Sequence, residues 1–133
     1  MKITLYNKGE VMNYKLTSGD KEKVNEMVRN IFGGIDEVLK LYLSDERLEE
    51  LKNSEEVLEI IYNEPFVFTT KEFGTFPVKK IAIPLTGDFI GNEDNPEITI
   101  ITGEEEYDST PFRNTTGYGL LMQLKELLEN AGE

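Results

Sequence analysis

The sequence predicts an α+β domain with a mainly antiparallel sheet of about five to seven strands and two or three helices packed on one face. Several short segments alternate apolar and polar residues, as half-buried strands do. Most of these segments are joined by short turns, which favours antiparallel pairing. Other segments repeat apolar residues at helical spacing. No linker or internal repeat interrupts the chain, so residues 1–133 are expected to form a single domain.

The chain is expected to begin with a β-hairpin followed by a helix. Residues 1–17 alternate apolar and polar side chains on both sides of Asn7–Glu10, a segment with turn-forming residues. From about residue 20 to residue 32 the apolar residues recur every three or four positions, which predicts an amphipathic helix. Thr17 is a suitable N-cap residue, and the pair Gly33-Gly34 should end the helix.

Residues 35–43 have two interpretations. Three apolar residues continue the heptad phase of the helix, which would then pass through the glycines: Ile35, Val38 and Tyr42. Against a helix, leucines alternate with other residues, and two adjacent glycines cost roughly 2 kcal/mol inside a helix. The alternating leucines are Leu39, Leu41 and Leu43. We therefore expect a strand.

One short helix is predicted before the remaining strands. Ser44 caps this helix, which has acidic residues in its first turn and should end near Asn53-Ser54. Asn63–Pro65 has turn-forming residues. The apolar segments on either side of it, residues 57–62 and 66–70, are therefore predicted to pair as a hairpin.

Two more strands and a helix complete the prediction. Residues 78–85 should form a short strand or an edge strand, because Pro77 and Pro84 lack the N–H group that pairs strands. Residues 98–102 are predicted to form the last strand. Residues 103–116 are expected to be an acidic loop, and the chain is expected to end in an amphipathic helix.

The net charge of the chain is −12, and much of it comes from one segment. Residues 81–112 contain eight carboxylates and no Lys or Arg. A negative field repels phosphate, which argues against nucleic acid and anionic membrane surfaces as partners. The same field can steer a basic protein towards the chain. The carboxylates expected to contact such a partner are Asp88, Glu93, Asp94, Glu104, Glu105, Glu106 and Asp108.

The residue types present exclude most catalytic chemistry. The chain has no His and no Cys, so it lacks imidazole bases, thiolate nucleophiles and the usual transition-metal ligands. Residues 88–95 offer oxygen ligands around a glycine, but the ligand spacing of an EF-hand is missing, and we expect a solvated turn. Residues 104–108 lie in a predicted exposed loop, whereas an acid catalyst needs a desolvated carboxyl group. We therefore predict no catalytic residue, metal or cofactor.

The segment before the last helix offers an alternative site. Tyr107, Ser109, Arg113 and Asn114 combine hydroxyl, guanidinium and amide groups, which suits a small polar ligand. The N-terminus of the helix, assisted by Arg113, is also a suitable place for an anion. The competing structural interpretation, which we favour, pairs Arg113 with the preceding acids and packs Phe112 into the core.

The preferred hypothesis is a small acidic, non-catalytic binding protein, such as an inhibitor or immunity-type protein that engages a basic partner. It depends on the carboxylates gathering on one exposed surface, which the acidic face of the helix after Ser44 would extend. One alternative is a small-ligand-binding domain or small enzyme that uses Tyr107–Asn114, and another is an accessory or oligomerisation domain. No apolar run could span a bilayer, and the N-terminus lacks a signal-peptide core. We expect a cytoplasmic protein, although a chain whose leader had been removed would look the same.

Overall fold

Seven strands and three helices make up the part of the chain described by the computed structural model, residues 1–131. In chain order they are β1 (Lys2–Asn7), β2 (Glu10–Tyr14), α1 (Ser18–Gly33), β3 (Glu37–Val38), α2 (Asp45–Ser54), β4 (Glu56–Thr69), β5 (Thr75–Pro84), β6 (Ile98–Gly103), β7 (Phe112–Asn114) and α3 (Tyr118–Ala131). The strands form one sheet in the order β2-β1-β4-β5-β6-β7-β3, with every neighbouring pair antiparallel. The predicted α+β class is confirmed.

The sheet is covered on both faces. Alternate strand residues, among them Ile60 and Ile83, point into a large core that α1 and α3 complete. The intervening residues, among them Val57 and Ala82, point into a smaller core with Leu51 of α2. Two helices therefore share one face, as predicted, and α2 lies on the other. None of the helices within residues 1–131 is long and apolar enough to cross a membrane.

The predictions for the N-terminal hairpin and the first helix are confirmed. β1 and β2 pair across a two-residue turn in which Lys8 and Gly9 have positive φ values of 50° and 89°. Positive φ at both positions is what a type I′ turn requires. The Thr17 hydroxyl accepts a backbone N–H at 3.2 Å to cap α1, which ends at Gly33. The Ser44 hydroxyl caps α2 in the same way at 3.1 Å.

The hairpin predicted around Asn63–Pro65 is wrong. β4 continues through this segment as one strand, with an irregularity in its pairing to β5 between Ile61 and Phe66. A bulge interrupts the hydrogen bonds of the ladder locally, so a proline without an N–H donor is tolerated there. The turn falls instead at residues 70–74, where the Thr70 hydroxyl makes two hydrogen bonds that close it.

The prediction of a short or edge position for β5 is also wrong. β5 has ten residues and lies at the centre of the sheet, between β4 and β6. β6 pairs only with residues 80–82 of β5, so neither proline has to donate an N–H to β6, although Pro77 and Pro84 both lie in register with β4. Ile81, Ile83 and Leu85 all belong to the main core and so share one face, as alternating residues of a strand do.

The strand predicted for residues 35–43 is present only in part. The segment runs antiparallel to residues 109–113, but only Glu37–Val38 pairs as a strand, with β7. Further along, single backbone hydrogen bonds replace a ladder, such as the one from the Leu43 N–H to the Ser109 carbonyl at 2.7 Å. β7 itself lies inside the segment predicted to be an acidic loop. Val38, Leu41 and Tyr42 are exposed along this irregular edge of the sheet.

Candidate functional site

The carboxylates expected to contact a partner belong to two separate groups. Asp88, Glu93 and Asp94 precede β6, whereas Glu104–Glu106 and Asp108 follow it. The six-residue strand β6 lies between the two groups in the chain, and the first group lines none of the three cavities that the second group borders. That Asp88, Glu93 and Asp94 share one surface with the second group stays a prediction.

The first group lies in a well-structured loop between β5 and β6. Its turn is closed by the Asn92 side-chain oxygen, which accepts the backbone N–H groups of Asp94 and Asn95 at 2.9 Å each. Phe89 of the same loop packs against the smaller core, with the Arg47 guanidinium 5.7 Å from its ring. Within residues 1–131, no cluster of three acidic side chains is arranged to hold a metal ion.

The second group borders three adjoining cavities, and Asp108 lines all of them. One cavity also contains Phe112, the next contains Val38, and the third contains Tyr42 together with Asp45 from the first turn of α2. We call this region the Asp108 surface. It consists of Val38, Tyr42, Asp45, Glu104, Glu105, Glu106, Asp108 and Phe112.

Exposed apolar side chains accompany the carboxylates of the Asp108 surface. Tyr42 is 75% exposed, its neighbour Leu41 is 42% exposed, and Val38 is 36% exposed. Phe73, which is 40% exposed, has its ring 5.6 Å from the ring of Phe112. The exposed large apolar side chains elsewhere in residues 1–131 are Val11, Met12 and Val67. Apolar side chains grouped on a surface and bordered by polar ones are typical of binding sites.

A buried polar network attaches the Asp108 surface to the sheet. The Glu59 carboxylate on β4, which is 6% exposed, accepts hydrogen bonds from the Tyr107 hydroxyl at 2.8 Å and the Tyr6 hydroxyl at 3.2 Å. The Lys52 ammonium on α2 pairs with the same carboxylate at 3.1 Å. One carboxylate therefore joins β1, α2 and the loop that carries Asp108.

Two groups of this network, the Tyr107 phenol and the Lys52 ammonium, have raised pKa values. Burial and the Glu59 carboxylate both raise the pKa of the Tyr107 phenol. Burial alone would lower the pKa of Lys52, but the ion pair with Glu59 outweighs burial and raises it. A phenol and an ammonium that retain their protons are poor general bases and nucleophiles. The network therefore positions the loop that carries Asp108.

The structure does not bring the four residues of the alternative ligand loop together. Tyr107 and Ser109 border the cavity that contains Tyr42. Arg113 instead forms ion pairs with Glu37 at 3.5 Å and with Glu97 at 3.6 Å. The Phe112 ring packs against the main core as the structural interpretation expected, but the partners of Arg113 are Glu37 and Glu97 and not the acids of residues 104–108.

Asn114, the fourth residue of that loop, is buried and fully engaged. Its Nδ2 donates to the Ile31 carbonyl at the end of α1 at 2.8 Å, and its Oδ1 accepts the Thr116 N–H at 3.0 Å. Ahead of α3, the Thr115 N–H donates to Asp36 at 3.1 Å, and the Thr115 hydroxyl donates to the other oxygen of that carboxylate. A protein carboxylate thus holds the position considered for an anion.

Asp36 is well suited to remain charged at this position. Burial alone would raise the pKa of the Asp36 carboxyl, but the hydrogen bonds from Thr115 outweigh burial and lower it. The ionised carboxylate therefore keeps both donors of Thr115 satisfied over the ordinary pH range. An incoming anion would have to displace it.

Several residues of the site are absent from the sequence-based candidates. Glu59 carried a usable signal, because it is a carboxylate within the otherwise apolar segment 57–61 and had to be either exposed or paired. Val38 and Tyr42 carried none, since apolar residues at these spacings were consistent with core positions. Their exposure follows from the irregular edge formed by residues 35–43.

The chain shows no match to a protein-family model, to a curated protein or to a solved structure. What the Asp108 surface can bind therefore has to be inferred from its own side chains. Those side chains are carboxylates, aromatic rings and aliphatic groups, and no metal-binding cluster is found among residues 1–131.

Proposed function

We propose that this chain is a small, non-catalytic binding protein whose Asp108 surface engages a basic protein partner, in the manner of an inhibitor or immunity-type protein. The supporting observation is that carboxylates from the β6–β7 loop and from α2 share one surface with exposed apolar side chains. Neither the carboxylates alone nor the exposed apolar side chains alone would support the proposal. Acidic residues also keep proteins soluble, and single exposed apolar residues are common.

This combination fits the usual anatomy of a protein–protein interface. Such interfaces bury aromatic and aliphatic side chains at their centre and surround them with a polar rim. Tyr42 has the residue type and the exposure expected of a central contact. Asp45, Glu106 and Asp108 would form the rim, where opposite charges accelerate association and favour the correct partner.

Internal cations neutralise little of this rim. Among the ion pairs formed within residues 1–131, Glu105 has Lys79 at 3.7 Å, whereas Asp45, Glu106 and Asp108 take part in none. All four carboxylates are exposed. Their charge is therefore available to a partner, although salt at physiological concentration limits its range to about 8 Å.

The proposal is tested by neutralising the rim and comparing the result with a matched control. The test variant carries Asp45→Asn, Glu106→Gln and Asp108→Asn. The control carries Glu22→Gln, Glu26→Gln and Glu126→Gln, which make the same change in net charge at exposed positions of α1 and α3, on the opposite face of the sheet. Each protein is used to capture partners from its own source cells at low and high salt, and captured proteins are identified by mass spectrometry.

We expect a basic protein that the wild type and the control retain, that the rim variant loses, and that high salt releases. Binding of the purified partner should then weaken at least tenfold in the rim variant, mainly through slower association. A partner retained equally by the rim variant, or one insensitive to salt, would contradict the proposal. So would the finding that the rim variant only changes self-association, measured by sedimentation.

A further inference from the structure

We infer that the groove between Asp108 and Phe76 receives an arginine side chain of the basic partner. This inference rests on the proposed function and specifies which chemical group the Asp108 surface recognises. The groove is open, has a volume of about 510 Å³, and is lined by aromatic rings below and carboxylates above. Its lining residues are Phe76, Pro77, Thr102, Gly103, Glu104, Glu105, Glu106, Asp108 and Phe112.

The floor of the groove is a pair of stacked phenylalanine rings. The rings of Phe76 and Phe112 lie 5.3 Å apart with an interplanar angle of 19°. Phe32 of the main core supports Phe76 at 6.4 Å, and Phe73 contacts Phe112 at 5.6 Å. Both floor residues are half-buried, so each keeps part of its ring open to the groove. The floor is therefore aromatic and packed against the main core.

The wall above this floor is a tight acidic loop. Gly103 allows the turn, because a Cβ atom at this position would overlap the backbone of Glu106. The loop is closed by bridge pairing of Gly103 with Tyr107 and by the hydrogen bond from the Asp108 N–H to the Thr102 carbonyl at 2.8 Å. The backbone of the loop is consequently held beside the rings, and its exposed carboxylates border the groove.

The chemistry of this groove favours a guanidinium group over other occupants. An apolar side chain would bury carboxylates without a counterion, which is unfavourable. A lysine ammonium would satisfy one carboxylate but is compact and strongly hydrated. A guanidinium is planar, stacks on aromatic faces and can form two parallel hydrogen bonds to a carboxylate such as Asp108. Arginine therefore matches the floor and the wall at the same time.

The inference is tested with three peptides that differ at one position. The probe peptide has an arginine between two lysines, and its analogues have lysine or citrulline in place of the arginine. Citrulline is close to arginine in shape and lacks the charge. Each peptide is titrated into isotopically labelled protein at low salt, and affinity and the signals of the Phe76 and Phe112 rings are followed by NMR.

We expect the arginine peptide to shift both ring signals and to bind about two- to fivefold more tightly than the lysine peptide, the range expected of an exposed cation–π contact. The citrulline peptide should bind more weakly than either. In Phe76→Leu, which keeps an apolar side chain in the floor, the preference for arginine over lysine should disappear. Phe112→Leu is a second variant for the same purpose, and thermal unfolding verifies that each variant is folded.

Equal binding of arginine and lysine peptides, or shifts that map outside the groove, would overturn the inference. The proposed function is tested separately by the rim variant, because it depends on the carboxylates of the rim and not on the Phe76 and Phe112 rings. If Phe76→Leu retains the cellular partner at full affinity while the rim variant loses it, the partner interaction stands and the arginine site fails. If the rim variant also retains the partner, both fail.

Discussion

The hydroxyl of Tyr107 donates to the carboxylate of Glu59 over 2.8 Å, across 48 positions of the chain. Tyr107 lies in the loop after β6, between the exposed carboxylates of Glu106 and Asp108, and Glu59 is buried on β4. This contact couples the position of the acidic loop to the packing of the sheet. A binding surface made from an irregular loop is precise only when such a contact fixes it.

Replacement of Tyr107 by Phe should lower the free energy of unfolding by about 1–3 kcal/mol, because a hydrogen bond to a buried charged group is lost. Amide hydrogen exchange of residues 104–108 should also accelerate, since the loop loses its attachment to β4. Urea denaturation and exchange mass spectrometry measure the two effects. The exposed Tyr42→Phe variant is the control and should change stability by less than about 0.5 kcal/mol. Equal stability of the two variants would argue against the attachment.

Stability should decline at alkaline pH, and Tyr107 should account for part of the decline. Burial and Glu59 raise the pKa of Tyr107 above its ordinary value of 10.0. Below pH 10 the phenol is protonated in both states, so its contribution is complete. Above pH 10 the unfolded state loses the proton first, and stability falls by up to about 1.4 kcal/mol per pH unit. Urea denaturation from about pH 8 to about pH 11 should show a shallower decline for Tyr107→Phe than for the wild type.

Three other tyrosines also have raised pKa values, so Tyr107 should account for only part of the alkaline loss of stability. Burial is the main cause for Tyr6, Tyr14 and Tyr62. Their phenols lose protons more readily in the unfolded state, so the Tyr107→Phe variant should still be destabilised above pH 10. A decline that is identical in the wild type and in this variant would show that Tyr107 contributes no pH dependence.

The ion pair between Lys52 and Glu59 should be costly to break from one side. Lys52→Met leaves the buried Glu59 carboxylate without its counterion, which should reduce the free energy of unfolding by about 3–5 kcal/mol. Glu59→Leu removes the buried partner of the Lys52 ammonium and leaves it only the exposed Glu49 carboxylate at 3.5 Å. The double variant should lose less than the sum of the two, since neither charge then remains. A double-mutant cycle by urea denaturation measures the coupling, and additive losses would mean that the pair is not coupled.

Much of the fold was predictable because it follows local patterns. The hairpin of β1 and β2, the ends of α1 and the cap of α2 each depend on a few adjacent residues whose chemistry is specific. Two of the errors involve prolines. Pro65 and Pro84 are normally signs of turns or edges, but a bulge and a short pairing with β6 accommodate them. Those features depend on neighbouring strands and leave no local signal.

The candidate site was predictable only in its charge. Glu104–Glu106 and Asp108 were identified, but nothing in the sequence indicated that Tyr42 and Val38 would be exposed beside them. Asp88 and Glu93 line none of the cavities that this group borders, and β6 lies between them and the group in the chain. The sequence therefore did not indicate which carboxylates lie beside the exposed apolar side chains.

The paired glycines at the end of α1 should respond in opposite directions to alanine. At Gly34 a Cβ atom would lie 2.5 Å from Nδ2 of Asn114, which cannot move away without losing its hydrogen bond to the Ile31 carbonyl. At Gly33 a Cβ atom would meet nothing within 4 Å. The two residues are adjacent, so each is the control for the other.

We expect Gly34→Ala to lower the free energy of unfolding by about 1–3 kcal/mol, the usual cost of forcing an atom into a packed site. Gly33→Ala should raise it by about 0.5–1 kcal/mol, because alanine restricts the unfolded chain and favours the helix. Urea denaturation of both variants measures the difference. In a Gly34→Ala, Asn114→Ala double variant the clash is absent, and the penalty should be smaller than the sum of the single changes. Equal effects at the two glycines would mean that Asn114 does not constrain the end of the helix.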